Sequence, residues 1–286
     1  MRAMFRRENR LGLVVLIPFA AFVGLFLVYP TVVVLLKAVT PHGQLGTSAL
    51  TRALSGTYRT GFLQSILLSG WSAIIGGVIG VLLALVFKSL SRPKWLHPTL
   101  DSWSAVASQL GGVGLAFAFI ALIGTQGIMT KVCSNMGINL ADYGITAVGF
   151  WGQVLVYLYF QIPLMFLVMM PAVNGLKASW REAAAIMGAS PAQYWRSVGI
   201  PLLVPSTLGG MLLLFVNAFT AYATVYVLNP SGALVPLQIR YLLQGNVITG
   251  EEDLAYAIVA WVILLLLSSL VLITVMQRRT LRWTSS

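Results

Sequence analysis

The sequence has few charged residues and a single cysteine, and each scarcity excludes a class of protein. Charged residues make up 9% of the 286 residues, far below the roughly one quarter of an ordinary soluble domain. Cys133 is the one cysteine, which excludes an intrachain disulfide and a cysteine-based metal cluster. The two histidines, His42 and His97, both fall in predicted loops, where a solvated side chain is the ordinary outcome.

The chain also lacks the residue patterns of catalysis and of ion coupling. It has no phosphate-binding loop with its lysine, no paired carboxylates, no nucleophile with a base and no metal-ligand spacing. Residues 111–114 are glycine-rich, but no lysine follows them and they lie inside an apolar run. All seven acidic residues lie outside the interiors of the predicted spans, so the intramembrane charges of ion-coupled carriers are missing. These absences predict a protein that is not an enzyme, has no metal site, and receives its energy from another subunit.

Long apolar runs are what the sequence has in abundance. Hydrophobic residues make up 58% of the chain, and several runs are long enough to cross a membrane as a helix. The short alternating segments of a strand barrel are not visible. The first run follows a basic start but is too long for a signal peptide, which predicts an uncleaved span. We therefore predict an all-α polytopic membrane protein with six spans, at residues 11–37, 61–87, 103–124, 147–170, 202–228 and 254–276.

The basic residues predict the orientation of these spans. If both termini face the cytoplasm, the inner segments hold 13 of the 18 basic residues, which agrees with the positive-inside bias. The outer segments then hold the other five, which are Lys37, Arg52, Arg59, Lys131 and Arg240. The net charge of +11 is accordingly read as a topology signal rather than as a nucleic-acid-binding surface.

A polar, helix-forming segment, residues 178–201, separates the fourth span from the fifth. Ser179 and Glu182, three residues apart, predict a capping box that opens a short helix. The alanines that follow Glu182 favour helix, and Gly188 is a natural stop just past its end. The charge count places this segment on the cytoplasmic side.

A second short helix is predicted directly after the first. Ser190 is its cap, Pro191 occupies its first turn, and Gln193 is the reciprocal capping partner. Pro201 is predicted to bound the helix on the far side. The segment as a whole is therefore predicted as helix, tight turn, helix.

The same segment resembles the EAA loop of ABC-importer permeases. That family pattern is Glu-Ala-Ala, three residues, Gly, nine residues and then Ile-x-Leu-Pro. Here Glu182, Ala183 and Ala184 are followed at the family spacing by Gly188 and Pro201. The last part reads Val-Gly-Ile-Pro, so two aliphatic positions carry other branched aliphatic residues.

The resemblance implies a specific assembly. Permeases of this family are helical bundles used in pairs, and each docks one ATP-binding subunit through the EAA loop. Carried over, the coupling residues are Glu182, Ala183, Ala184, Gly188 and Pro201, while ATP and Mg are bound by the partner ATPase. A second permease subunit, identical or different, and an extracytoplasmic solute-binding protein complete the importer, in a bacterial inner membrane.

On this interpretation the chain has three parts. Residues 1–60 are a cytoplasmic segment, the first transmembrane helix and a periplasmic loop. Residues 61–276 are the permease core, with the coupling loop at 178–201, and residues 277–286 are a basic cytoplasmic tail.

The translocation path is predicted from uncharged polar groups within the spans. Residues 215–224 also resemble the fifth-span segment of permeases from the polyamine, iron, thiamine and phosphonate branch, which favours a polyamine-like or related polar solute. Uncharged polar side chains within a span can equally hydrogen-bond a neighbouring helix. The candidates are Asn217, Thr220 and Tyr222 in the fifth span and Tyr157 and Gln161 in the fourth.

Two other functions stay open on the sequence alone. An ion-coupled secondary transporter or channel is disfavoured by the missing intramembrane charges. A non-transporting scaffold that recruits a cytoplasmic partner through residues 178–201 would need the same polar segment but no solute path. The preferred function is the permease subunit of a binding-protein-dependent ABC importer.

Overall fold

The computed structural model describes residues 16–89, 96–244 and 251–284, and these ranges are helical without a strand. Six stretches are long and apolar enough to cross a membrane, which confirms the all-α, six-span prediction. In chain order the helices are α1 (Leu16–Val39), α2 (Ser48–Arg52), α3 (Gly56–Ser89), α4 (Leu96–Gln109), α5 (Val113–Ile123), α6 (Ile128–Asn135), α7 (Phe150–Asn174), α8 (Ala178–Ile186), α9 (Pro191–Thr220), α10 (Ala223–Leu228), α11 (Val235–Leu243) and α12 (Glu252–Thr284).

The spans are α1, α3, α5 with α6, α7, α9 and the first part of α12, Glu252–Val275. The predicted basic segment 1–10, the start of the first predicted span, and Arg92 and Lys94 lie outside the described residues. His42 lies in a 3₁₀ turn, but His97 lies within α4, so its predicted loop position is wrong.

Two of the six predicted spans are wrong as continuous helices. The third breaks between α4 and α5, where Gly112 adopts a φ of +97° that a residue with a side chain rarely takes. The fifth begins early, at Pro191, ends at Thr220, and resumes as α10 at Ala223. The fourth runs through Pro171 to Asn174 instead of ending before the proline, as transmembrane helices permit when other groups satisfy the freed backbone.

The close pair of glycines in α3, Gly76 and Gly80, allows α3 to approach α7. A Cβ atom placed on Gly80 would lie 2.5 Å from the Cβ of Met165, and one on Gly76 would lie 3.1 Å from the Cβ of Gln161. Glycines at this spacing permit close helix contact, and α3 and α7 make such a contact here. On the other side of α3, a Cβ on Gly77 would lie 2.6 Å from Cγ of Met211 in α9.

The chain divides into two compact units. One unit comprises Thr60–Leu237 and Leu265–Ser286, and it contains the contacts of α3 with α7 and α9. Its core is a cluster of buried side chains from α3, α7 and α9. Phe87 and Phe166 meet edge to face with ring centroids 5.4 Å apart, and Met165 and Met169 are completely buried. This core holds the ends of α3 and α7 beside the segment that contains α8.

The other unit combines the chain up to Arg59 with Gln238–Leu264. Within it, the indole N–H of Trp261 donates to the backbone oxygen of Leu50 at 3.1 Å. Arg52 at the end of α2 forms an ion pair with Glu251 at 2.8 Å, just before α12. The hydrogen bond and the negative charge of Glu251 raise the pKa of the Arg52 guanidinium.

Candidate coupling and translocation site

The start of α8 differs from the predicted capping box. Lys177 has the extended backbone of an N-cap, and its side chain makes no capping hydrogen bond. Ser179 is therefore already inside the helix, where its hydroxyl cannot cap the first turn, and the prediction for Ser179 and Glu182 is wrong. Within the described part of the chain, Glu182 forms no hydrogen bond or ion pair, so it is free to contact another protein.

The end of α8 is a tight, well-defined turn, as predicted. Gly188 has a φ of +78°, its N–H donates to the oxygen of Ala185 at 3.0 Å, and the N–H of Ala189 donates to that of Ala184 at 2.9 Å. These two bonds are those of a Schellman motif, which requires a left-handed residue at the position of Gly188. The turn therefore has one backbone geometry rather than a flexible connection.

The second helix of the segment begins with the predicted capping box. The N–H of Gln193 donates to the Ser190 hydroxyl at 3.3 Å, and the N–H of Ser190 donates to Gln193 Oε1 at 2.7 Å. Pro191 occupies the first turn. This part of the prediction is confirmed.

Pro201 does not end that helix, so its predicted boundary role is wrong. Residues 195–199 form a π-helical turn in which the N–H of Ile200 donates to the oxygen of Trp195. In a regular α-helix the proline ring would clash with the carbonyl four residues earlier, and the widened turn relieves this clash. The ring of Trp195 packs over Gly199, where a Cβ would lie 2.4 Å from its Cε3 atom. The short helix and the fifth span are consequently one continuous helix, α9.

The surface of α8 presents unusual apolar exposure. Ile186 is 88% exposed and Met187 is 80% exposed, at the end of α8 and just after it. Ala184 is buried against the protein, whereas Glu182 and Ala183 are exposed. Exposed large apolar side chains beside an unpaired carboxylate are typical of a surface that a partner covers.

The two broken spans meet at their breaks. The N–H of Gly112, in the break between α4 and α5, donates to the buried hydroxyl of Thr224 in α10 at 2.8 Å. The N–H of Gly112 lies in a break between helices, and a backbone N–H inside protein or lipid needs an acceptor. The hydroxyl of Thr224 supplies that acceptor. The hydroxyl of Thr224 therefore holds one irregular segment against the other.

Replacing Thr224 with valine is expected to destabilise the protein, because the half-buried N–H of Gly112 loses its acceptor while the side-chain shape is kept. The cost is about 1–3 kcal/mol for an unsatisfied buried donor. We expect a lower melting temperature of the purified protein in detergent. Thr224→Ser keeps the hydroxyl and is the control, and equal melting temperatures for the valine and serine variants would contradict the contact.

Tyr157 lies beside the second break. Its side chain is 1% exposed, and its hydroxyl donates to the backbone oxygen of Ala221 at 3.4 Å. Ala221 follows α9, so its carbonyl is one that the interrupted helix leaves without a helical partner. A cavity of about 10 Å³, the size of a single water, is lined by Tyr157, Ser65 and Ser69.

Gln161 forms a buried polar contact one turn further along α7. It is fully buried, and its Nε2 donates to the hydroxyl of Ser72 in α3 at 2.8 Å. Its Oε1 has no hydrogen-bond partner within the described structure. A buried oxygen without a hydrogen-bond donor costs about 1–3 kcal/mol of stability. Such an oxygen is typical of a site where another molecule, or another conformation of the protein, supplies the donor.

The three predicted residues of the fifth span have different surroundings. Asn217 is half-buried in α9, and the Thr220 hydroxyl donates to its own helix at the oxygen of Val216, 2.9 Å away. Tyr222 lies in the break itself and stacks on Tyr226, with ring centroids 5.6 Å apart. The structure thus brings Tyr157 close to the break that contains Tyr222, and the roles of all five path residues stay predictions.

Sequence reasoning missed Gly112 and the serines of α3. Ser65, Ser69 and Ser72 are buried and spaced four and three residues apart, which places them on one face of α3. The spacing of these serines in the sequence is enough to predict a polar stripe on α3 that faces the protein interior. Within the described residues, no three His, Cys, Asp or Glu side chains lie close enough to hold a metal ion.

Comparison with known proteins assigns the family of this helical chain. The chain belongs to the family of binding-protein-dependent transport system inner membrane components, whose sequence pattern matches residues 13–282. It is accordingly a permease subunit of a binding-protein-dependent ABC importer, the class that the EAA-like segment suggested.

Several relatives illustrate the family. The chain is 25% identical over 239 residues to the probable sulfate transport system permease protein cysT of Marchantia polymorpha, covering 83% of this chain and 78% of that relative. It is 23% identical to a putative ferric transport system permease protein of Haemophilus influenzae, FbpB 1, covering 77% of this chain. It spans only 34% of that ferric permease's length.

Solved structures share the fold over nearly the whole chain. A bacterial ABC transporter involved in the import of the acidic polysaccharide alginate matches with a TM-score of 0.72 and 17% identity, covering 99% of both chains. The same kind of transporter, in complex with an alginate pentasaccharide-bound periplasmic protein, matches with a TM-score of 0.73 and 17% identity, covering 98% and 97%. At this identity the likeness establishes the fold only.

Proposed function

We propose that this chain forms half of the translocation path of an importer in a bacterial inner membrane and transmits the work of a separate ATPase to that path. The observation that carries the proposal is the exposed end of α8, where Ile186 is 88% exposed and Met187 is 80% exposed beside Glu182, which pairs with none of the described residues. Both termini then face the cytoplasm, in keeping with the charge distribution.

The chemistry of α8 suits a groove on a soluble partner. Burial of the apolar side chains at the end of this short helix would stabilise a complex with the partner. The nearby carboxylate favours a partner that offers a basic residue. Ala183 adds no bulk on the exposed face, so another backbone can approach closely. The proposed coupling residues are Glu182, Ala183, Ala184, Gly188 and Pro201.

The continuity of α9 supplies a mechanical link between α8 and the path. The Schellman turn at Gly188 and the capping box at Ser190 fix α8 to the start of α9. Because α9 continues without interruption to Thr220, displacement of α8 moves the break at Ala221. The irregular segments at Gly112 and Ala221 are the proposed moving parts of the path, next to Tyr157, Gln161, Asn217, Thr220 and Tyr222.

The remaining components are supplied by other chains. An ATPase dimer binds ATP and Mg, a second permease subunit completes the path, and a binding protein outside delivers the solute. This chain hydrolyses nothing. The described walls near the two breaks offer hydroxyl, amide and backbone groups, which suit a small polar solute, and a polyamine-like solute remains a prediction.

Site-directed cross-linking tests the docking of α8. In a Cys133→Ser background, Met187→Cys is expected to cross-link to the ATPase subunit in membranes, because its side chain lies where the partner groove would cover it. Met136→Cys is the matched control, since Met136 is 71% exposed but lies on the predicted outer side. Cross-linking of both positions, or of neither, would contradict the proposed docking.

A further inference from the structure

A pocket with a cavity volume of about 350 Å³ lies beside α8 and is lined by basic and aromatic side chains. Lys88 comes from the last turn of α3, Lys177 is the N-cap of α8, and Arg181 lies within α8. Tyr194 and Trp195, near the start of α9, complete the polar and aromatic part of the lining. The pocket is separate from the exposed apolar tip of α8 that the proposed docking uses.

The positive charge of this pocket is not neutralised by any carboxylate among the residues that the structure describes. Lys88 Nζ donates to the backbone oxygens of Val173 and Leu176, at 2.5 and 2.6 Å, which uses two of its three donors. Lys177 lies over the ring of Trp180, with Nζ 5.8 Å from its centroid. Among the described residues, no carboxylate lines the pocket or pairs with any of the three cations.

The pocket lies at the ends of candidate spans, where the boundary between hydrocarbon and water is expected. Lys88 closes span α3, Leu176 follows span α7, and Trp195 lies in the first turns of span α9. Leu85 and Leu176 form an apolar part of the lining, while tyrosine and tryptophan are the residues enriched at membrane interfaces. A ligand in this position meets basic groups and apolar groups at once.

We propose that this pocket binds the headgroup of an anionic phospholipid. Basic pockets between transmembrane helices attract anionic headgroups, and each basic side chain near the surface strengthens the attraction. The phosphate would lie among Lys88, Lys177 and Arg181, and the apolar lining would accept the start of the lipid chains. A bound headgroup would join the end of α3 to α8, so the lipid composition of the membrane would affect how firmly α8 is held.

Lipid retention by the purified full-length chain, with the subunits that it retains, tests the proposal. Protein in detergent is given phosphatidylglycerol or phosphatidylcholine, and bound lipid is counted by native mass spectrometry. We expect retention of phosphatidylglycerol and a loss of affinity of about fivefold in either Lys177→Gln or Arg181→Gln. Arg196→Gln is the matched control, because Arg196 lies in the same segment but does not line the pocket.

Three outcomes would overturn the assignment. They are equal retention of the two lipids, an equal effect of Arg196→Gln, and displacement of phosphatidylglycerol by millimolar inorganic phosphate, which would indicate a soluble anion. The measurement uses no ATP and no solute. A failure here therefore leaves the docking of α8 untouched, and a failure of the cross-linking experiment leaves the lipid site untouched.

Discussion

Replacing Gly80 with valine is expected to abolish accumulation of the folded protein in the membrane. A Cβ at this position would lie 2.5 Å from the Cβ of Met165 and 3.0 Å from the backbone oxygen of Ile162. Because backbone atoms and a Cβ cannot rotate away, α3 and α7 would have to separate. Overpacking a tight core with extra methylene groups costs about 1–3 kcal/mol and occasionally more, and valine adds three carbons at a point where the first already clashes. Helix packing in membranes depends on such close contacts, so the whole bundle is affected.

Gly70→Val in the same helix is the matched control, since a Cβ on Gly70 meets nothing within 4 Å. Both substitutions change helix propensity in the same way, so the difference between them isolates the contact with α7. Size-exclusion chromatography of the solubilised proteins gives the measurement. A monodisperse peak of normal height for Gly80→Val would show that α3 and α7 do not pack as described.

The features that local physics controls were predictable from the sequence. Runs of apolar residues long enough to cross the bilayer are stable there as helices, so the number and helical nature of the spans followed from the apolar runs, although the breaks in two of them did not. The turn at Gly188 and the capping box at Ser190 are likewise local, because each depends on residues within one turn of the chain. The spacing of Gly76 and Gly80 permits a close contact, although it does not identify α7 as the partner.

The features that depend on distant partners were not predictable. Residues 111 and 112 are both glycine, yet glycine is common in transmembrane helices, and the break there is stabilised by Thr224, which lies 112 positions away. Pro201 is tolerated because Trp195 packs on Gly199 in a π turn, which no local pattern announces. Ser179 failed as a cap because α8 begins two residues earlier than the sequence pattern suggested, with Lys177 as its N-cap.

The candidate site also combines features that the local sequence indicates with features that depend on distant parts of the chain. Tyr157 and Gln161, which the sequence offered as path candidates, are both buried, and their role in the path stays a prediction. Their partners, Ala221 and Ser72, come from other helices and could not be assigned from spacing. The exposure of Ile186 and Met187 also needed the structure, because an apolar residue at a helix end is ordinarily packed inward.

Glu182→Lys is expected to abolish uptake of the transported solute while the protein remains inserted and stable. Glu182 is exposed and forms no bond with the described residues, so its reversal removes nothing that holds the fold. A like-charge contact in an interface costs several kcal/mol, and about 3 kcal/mol corresponds to a docking affinity weakened by more than a hundredfold. The ATPase would then no longer drive the break at Ala221 through α9.

The matched control for Glu182 is Asp101→Lys, which reverses a charge on an exposed residue of α4, also on the predicted inner side. Uptake and ATPase activity in membrane vesicles, together with the amount of inserted protein, separate coupling from folding. Lost uptake in both variants would indicate a general charge effect rather than a contact of α8. Reversing the charge at position 182 would weaken any docking interface formed by this part of α8. Normal uptake in Glu182→Lys would therefore mean that α8 does not transmit the energy of ATP hydrolysis.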